Sequence, residues 1–152
     1  MTRKVLLDAN LLIAVFDPQA TTEKTRKQES ENRLIDFLQD PDVALVITPL
    51  IRYEVLRGIP WQEAKDYQQV RSALDQFTEL DIDQSTAELA ANLFRFDRQI
   101  SNHDKNLDKR KLDAFHLATA KCHQLELASQ DSDIAKLESL YSEFLQAQQA
   151  WS

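Results

Sequence analysis

Three acidic residues of this 152-residue chain stand within or against apolar runs. Asp8 lies in Val5-Leu6-Leu7-Asp8-Ala9-Asn10-Leu11-Leu12-Ile13, Asp113 in Leu112-Asp113-Ala114-Phe115, and Asp131 just after Leu125-Glu126-Leu127-Ala128-Ser129-Gln130. An ionised carboxylate in apolar surroundings is costly unless it is paired or holds a metal. With Glu54 as a fourth candidate, these acids suggest a site that gathers negative charge. A hard divalent cation such as Mg²⁺ or Mn²⁺ requires carboxylate oxygens of this kind. A site so built can activate a water and stabilise charge on a phosphodiester in transit.

Each acid also has a plainer reading. Asp8 alone suits a helix cap, since Asp-Ala-Asn offers two good N-cap residues. Glu54 alone fits a solvated helix position, and Asp131 and Asp133 fit a turn and an N-cap. Asp113 is harder to explain in this way, because apolar residues flank its helix almost all round. Lys109, Arg110 and Lys111, with Lys105 nearby, form a local basic patch able to hold a phosphate backbone; such runs are also ordinary solvated faces. His116, Cys122 and His123 match no standard zinc spacing, and His116 reads as a core residue. Trp61, Tyr67 and Phe77 read as packing residues rather than a base-stacking platform.

The elements that position these residues alternate in type. Lys4–Leu7 reads as a buried strand ending at Asp8, and 10–16 as a helix broken by Asp17-Pro18. Residues 23–39 read as a surface helix with Leu34, Ile35 and Leu38 as its apolar stripe. Val43–Thr48 is a second buried strand, and Pro49 suits the first turn of the helix carrying Ile51, Glu54 and Val55. Gly58 and Pro60 end that helix. Residues 61–77 read as a helix, 79–82 as a strand, and 85–100 as a helix with Leu89, Leu93 and Phe96 inward. A polar loop over 101–109 precedes a largely buried helix at 112–123, which would place Asp113 near a helix start where the macrodipole favours an anion. A strand at 126–128, a short helix at 133–137 and a helical tail from Leu140 complete the chain. Strands alternating with helices predict an α/β fold, with a mainly parallel central sheet flanked by helices on both faces. In such sheets ligands bind at the carboxyl ends of the strands, where Asp8 and Asp131 would both stand. No linker is evident, so residues 1–140 are expected to form one domain, with 141–152 as a helical tail of that domain.

Composition narrows the chemistry. A net charge of −7 argues against broad, sequence-independent grip on nucleic acid, but not against a nuclease whose own acids are neutralised by metal. The single glycine, Gly58, excludes a P-loop, a dinucleotide-binding turn and a Gly-flanked nucleophile elbow together. The single cysteine, Cys122, excludes intramolecular disulfides and fits a reducing compartment. The opening apolar stretch is interrupted by Asp8 and Asn10, lacks a cleavage site and is too short to span a bilayer. A cytoplasmic protein with no membrane association is expected.

Four segments together resemble the motifs of the PIN-domain family. They are Leu6-Leu7-Asp8-Ala9-Asn10-Leu11-Leu12, Thr48-Pro49-Leu50-Ile51-Arg52-Tyr53-Glu54-Val55-Leu56-Arg57-Gly58, Leu112-Asp113-Ala114-Phe115-His116-Leu117-Ala118-Thr119-Ala120 and Leu127-Ala128-Ser129-Gln130-Asp131-Ser132-Asp133. Order and spacing agree from Lys4 to about Leu137, and the nearest likeness is to VapC-type toxins of toxin–antitoxin pairs. That resemblance implies a Mg²⁺- or Mn²⁺-dependent endoribonuclease acting on RNA, commonly a homodimer, inhibited by a cognate antitoxin protein. It implies Asp8, Glu54, Asp113 and Asp131 as the metal-binding, catalytic acids. Asn10 would support Asp8, and the Ser129 hydroxyl would orient Asp131. Three departures stand out: His116 replaces a more usual aliphatic residue, Asp133 competes with Asp131 as fourth acid, and the stretch 17–33 is long and charged.

Two rivals have different chemistry. A phosphoryl-aspartate domain also places an acid after its first strand, but it would want a second acid beside Asp8, where Asn10 stands, and a late-strand lysine. A catalytically silent scaffold of the same fold would have no reason to keep uncompensated buried charge.

Overall fold

The computed structural model describes residues 2–100, 107–128 and 131–151, with the side chains of 107, 108, 131–134 and 151 outside that description. The chain condenses into two compact units, residues 1–81 and 82–152.

The first unit runs β1 (Arg3–Leu7), α1 (Ala9–Phe16), α2 (Lys24–Gln39), β2 (Val43–Ile47), α3 (Pro49–Arg57), α4 (Ala64–Leu74) and β3 (Thr78–Glu79). β1 pairs in parallel with β2 (Arg3↔Val43 through Leu6↔Val46), and β2 with β3 (Val46↔Thr78, Ile47↔Glu79). The expected parallel α/β architecture is therefore present. Val5, Leu6 and Leu7 are buried in succession, as in a strand covered on both faces rather than one. With Leu12, Ile47, Ile51 and Leu74 they make the core of this unit.

α1 turns Ala9, Leu11, Leu12 and Ala14 inward. It ends because Asp17 diverts the chain. The Asp17 carboxylate accepts the Thr21 and Thr22 amides at 2.9 and 3.1 Å, while Lys27 Nζ donates to the Ala14 and Val15 carbonyls at 3.3 and 2.9 Å. Those two carbonyls lie in the last turn, where α-helical partners run out. In α2 only Leu34 of the expected stripe is buried; Ile35 and Leu38 are 47% and 63% exposed. The inward face is instead centred on Lys27, Ser30, Leu34 and Phe37, which share one side at 100° per residue.

The second unit contains α5 (Gln84–Ile100), α6 (Leu107–His123), β4 (Glu126–Ala128) and α7 (Asp131–Trp151). Ala90 and Leu93 of α5, Ala114, Leu117 and Ala118 of α6, and Phe144 of α7 form its buried core. Phe96 meets Phe144 edge-on at 5.9 Å between centroids. Asp83 starts α5 by accepting the Thr86 amide at 2.8 Å. Gln124, at φ 56°, ends α6 in the left-handed conformation, and the Leu125 amide closes the turn onto the Ala120 carbonyl at 2.8 Å.

Four boundaries differ from the sequence reading. α4 begins at Ala64, not at residue 61, because Pro60 and Trp61 lie in the preceding turn. Trp61 is 97% exposed, so it is not the packing residue expected. β3 covers 78–79 rather than 79–82. α6 starts at Leu107, since Leu-Asp-Lys-Arg-Lys contains no breaker and propagates a helix despite its polarity. α7 is one continuous helix of 21 residues. Nothing between Leu137 and Leu140 interrupts it, and Leu137, Leu140, Tyr141 and Phe144 all pack on the core of their unit.

Candidate metal centre

In the first unit, Asp8 directly follows β1 and Thr48 directly follows β2. The parallel register brings both to the same carboxyl edge of the sheet. Asp8 is the N-cap residue of α1, with extended backbone (φ −71°, ψ 143°), and its carbonyl accepts the Leu12 amide at 3.3 Å. Its carboxylate makes no capping hydrogen bond, although the residue is only 8% exposed. Helix capping therefore does not account for an acid at this buried position. Asn10 is half-buried in the first turn of the same helix.

Thr48 explains how α3 begins. Its backbone is extended and its Oγ1 accepts the Ile51 amide at 3.2 Å, with Pro49 in the first turn. Both Thr48 and Ile51 are fully buried. Glu54 lies six residues beyond Thr48 and is half-buried. Arg52 braces α3 from another side: it meets Asp75 at 3.0 Å and Glu79 at 3.1 Å. The hydrogen bond to Glu79 leads the influences that raise the Arg52 pKa above its ordinary value. The sequence reading passed over both residues. The cap signal, Thr immediately before Pro, was present; the Arg52 pairing spans 27 residues and had no local signal.

In the second unit, Asp113 is half-buried and sits in the second turn of α6 rather than near its start. The macrodipole acts mainly within the first turn, so it does not supply the expected support. Helical spacing puts Lys109 and Arg110 one turn before Asp113, and His116 one turn after it. His116 is buried at 3% exposure, as expected for a core position. Thr119 is buried, its hydroxyl donating to the Phe115 carbonyl at 2.7 Å. Lys109 and Lys111 are exposed, and Arg110 lies 3.4 Å from Asp97. Asp131 opens α7, just beyond β4. The side chains of Asp131 and Asp133 lie outside the described residues, as does Ser129.

Among the described residues, no three His, Cys, Asp or Glu side chains form a metal-binding group. The donor set proposed from sequence is nevertheless chemically coherent: Asp8, Glu54 and Asp113 are all hard oxygen donors and all lie below full exposure. The lone thiol, Cys122, is exposed and free.

The PIN domain family model matches residues 5–140. The chain belongs to the PIN domain family. The four motifs, from Leu6 to Asp133, thus fall inside a single family match. Among solved structures, this PIN domain is similar to a chain of a toxin–antitoxin complex from Klebsiella pneumoniae, with 30% identity, 84% of this chain and 87% of that chain covered, and a TM-score of 0.53. It shares its fold with a chain of VapBC2 from Rickettsia felis, solved bound to a DNA fragment from their promoter (11% identity, coverage 88% and 92%, TM-score 0.63). It likewise shares it with a chain of FitAcB from Neisseria gonorrhoeae (20% identity, coverage 85% and 88%, TM-score 0.54). No curated protein matches it. Among the described residues, no helix is long and apolar enough to cross a membrane.

Proposed function

We propose that this PIN domain is a Mg²⁺- or Mn²⁺-dependent endoribonuclease and the toxin of a type II toxin–antitoxin pair. Nuclease activity is typical of the family. The observation that carries the reading is Asp8: a buried acid at the carboxyl edge of a parallel sheet, not used as a cap, in a chain matched over 5–140. The likeness to a toxin–antitoxin complex at 30% identity supports a protein antitoxin as partner.

In this reading Asp8, Glu54 and Asp113 hold the metal, with Asp131 completing the set and Asp133 as its competitor. The ion, when bound, supplies activation of water and stabilisation of charge on the scissile phosphate. Asn10 keeps Asp8 oriented, and the Ser129 hydroxyl does the same for Asp131. Thr48 and Arg52 hold the helix that presents Glu54. Lys109, Arg110 and Lys111 attract the phosphate backbone. No side-chain nucleophile takes part. The domain is placed at 1–140, and the unbroken run of α7 from Asp131 to Trp151 supports counting 141–152 as part of it. A homodimer in the cytoplasm completes the proposal.

Cleavage of a labelled structured RNA by the purified protein with Mg²⁺ or Mn²⁺ tests this, against EDTA and an identically prepared Asp8→Asn variant. Cutting that needs metal and disappears in the variant supports the ribonuclease. Absence of cutting, with weak metal binding and tight partner binding, would leave the silent scaffold in its place.

A further inference from the structure

The two arginines of α3 are used differently. Arg52 is drawn to Asp75 and Glu79, at 3.0 and 3.1 Å, and so pins the helix within its unit. Arg57 stands exposed in the last turn, its guanidinium carbon 5.4 Å from the centroid of the Tyr53 ring. Arg33–Phe37, Arg98–Phe94 and Lys121–Tyr141 make similar contacts, but in each of those the ring is half-buried. Tyr53 is 55% exposed. With Arg57 against one side of the ring, that exposure falls on the rest of it.

The same face of α3 presents Glu54. At 100° per residue, Arg57 lies about 40° and Glu54 about 100° round the helix axis from Tyr53, so Arg57 stands between the ring and the acid. Arg57 follows Tyr53 by four residues and Glu54 by three, the two spacings at which helix side chains are neighbours. The buried residues Ile51 and Val55 are turned away from Tyr53, at about 160° and 200°. The Thr48 cap and the Arg52 pairs hold the helix that carries this face, so the pair sits on a fixed element.

A ring–cation pair on a helix surface adds little to helix stability, and here it leaves aromatic surface in water beside a positive charge. That combination suits a strand whose bases are unpaired, because the ring takes a base while the guanidinium takes a phosphate. An acidic peptide would use the charge but not the ring. A strand bound on this face runs alongside Glu54, the acid that the ribonuclease reading assigns to the metal.

We propose that Tyr53 stacks on an unpaired base of single-stranded RNA and that Arg57 contacts a phosphate next to that base. This rests on the ribonuclease reading and adds to it a base contact on α3. Tyr53 and Arg57 act here as substrate-positioning residues.

The test uses the full chain with a short single-stranded oligouridine carrying one central 2-aminopurine, in EDTA so that no cleavage intervenes. The fluorescence of 2-aminopurine falls when the base stacks, which reads the contact directly. Wild type should quench it. Tyr53→Leu should abolish the quench and weaken binding about tenfold, within the range for loss of one base–aromatic stack. Tyr53→Phe keeps the ring and should restore both. Arg57→Gln should lower the slope of log K against log[salt] by about 0.7, the value of one single-strand phosphate contact, whereas Tyr53→Leu should leave that slope unchanged. Tyr67→Leu, which removes an exposed ring from α4, should alter neither readout. Thermal melts confirm that all four variants fold.

A quench that persists in Tyr53→Leu overturns the proposal. So does a Tyr53→Phe variant as weak as Tyr53→Leu, an equal loss in Tyr67→Leu, or a wild type that binds without quenching or does not bind. Parallel cleavage assays with Mn²⁺ separate this from the parent reading. Wild-type cleavage with a quench indifferent to Tyr53 refutes the base contact alone. A Tyr53-dependent quench without any wild-type cleavage refutes the ribonuclease alone.

Discussion

Thr48 offers a test of how the helix bearing Glu54 is held. Its hydroxyl accepts the Ile51 amide at 3.2 Å, and both residues are fully buried. Thr48→Val keeps the shape but removes the acceptor, stranding a buried amide at a cost of about 2 kcal/mol. Thr48→Ser keeps the acceptor and deletes one buried methyl, at a cost of about 1 kcal/mol. Thr48→Ala loses both, about 3 kcal/mol if the two effects add. For 152 residues, an unfolding entropy of about 2.1 cal/mol/K per residue makes 1 kcal/mol worth roughly 3 °C. The expected falls in Tm are thus about 3 °C for Ser, 6 °C for Val and 9 °C for Ala. Calorimetric melts at one pH and salt give the order directly. Thr48→Val melting at or above Thr48→Ser would refute the reasoning, because methyl packing rather than the cap would then dominate.

Other expectations follow from the same contacts. Leu93 is fully buried among Ala90, Leu117 and Phe144, so Leu93→Ala should cost about 3–4 kcal/mol in urea unfolding. Arg52→Gln should cost about 1 kcal/mol at most, since Arg52 is 22% exposed and its partner Asp75 is 59% exposed; the urea midpoint measures it. Asp83 is held below its ordinary pKa of 3.8, chiefly by the Thr86 amide. At Asp17 burial opposes the charge, but hydrogen bonds from Thr21 and Thr22 outweigh it and the pKa is again lowered. Depressed acids stabilise the fold above their unfolded pKa and lose that contribution as pH falls through the native value. An Asp17→Asn, Asp83→Asn double variant should therefore show a flatter stability profile than wild type below about pH 4, followed by urea unfolding at stepped pH.

Much of the fold was legible because the signals were local. The uninterrupted Val-Leu-Leu run before Asp8 marked a buried strand, Pro49 marked a helix start, and Asp17-Pro18 marked a helix end. Misreadings arose where polarity was taken for absence of structure. Leu107–Lys111 is charged yet helical, because helix formation needs good formers and no breaker rather than apolar residues. That shift moved Asp113 out of the first turn and changed the physical support available to its charge. The packing expectation for Trp61 rests on helical spacing with Tyr67 and Phe77, but a turn set by Pro60 leaves it outside the helix and in solvent. The candidate acids were legible through the conflict between their charge and their apolar neighbours. Arg52 with Glu79, and α5 with the basic start of α6, were not, since those pairings exist only once the chain is folded.

The most direct measurement pairs Mn²⁺ binding with RNA cleavage on the same preparations of wild type, Asp8→Asn and Asp113→Asn. Metal binding is read by electron paramagnetic resonance and cleavage by gel, with thermal melts to confirm folding. If Asp8 and Asp113 are both metal ligands of the proposed ribonuclease, each substitution alone removes both bound metal and cutting while the protein stays folded. Wild-type levels of metal binding and cleavage in either folded variant would contradict the assignment.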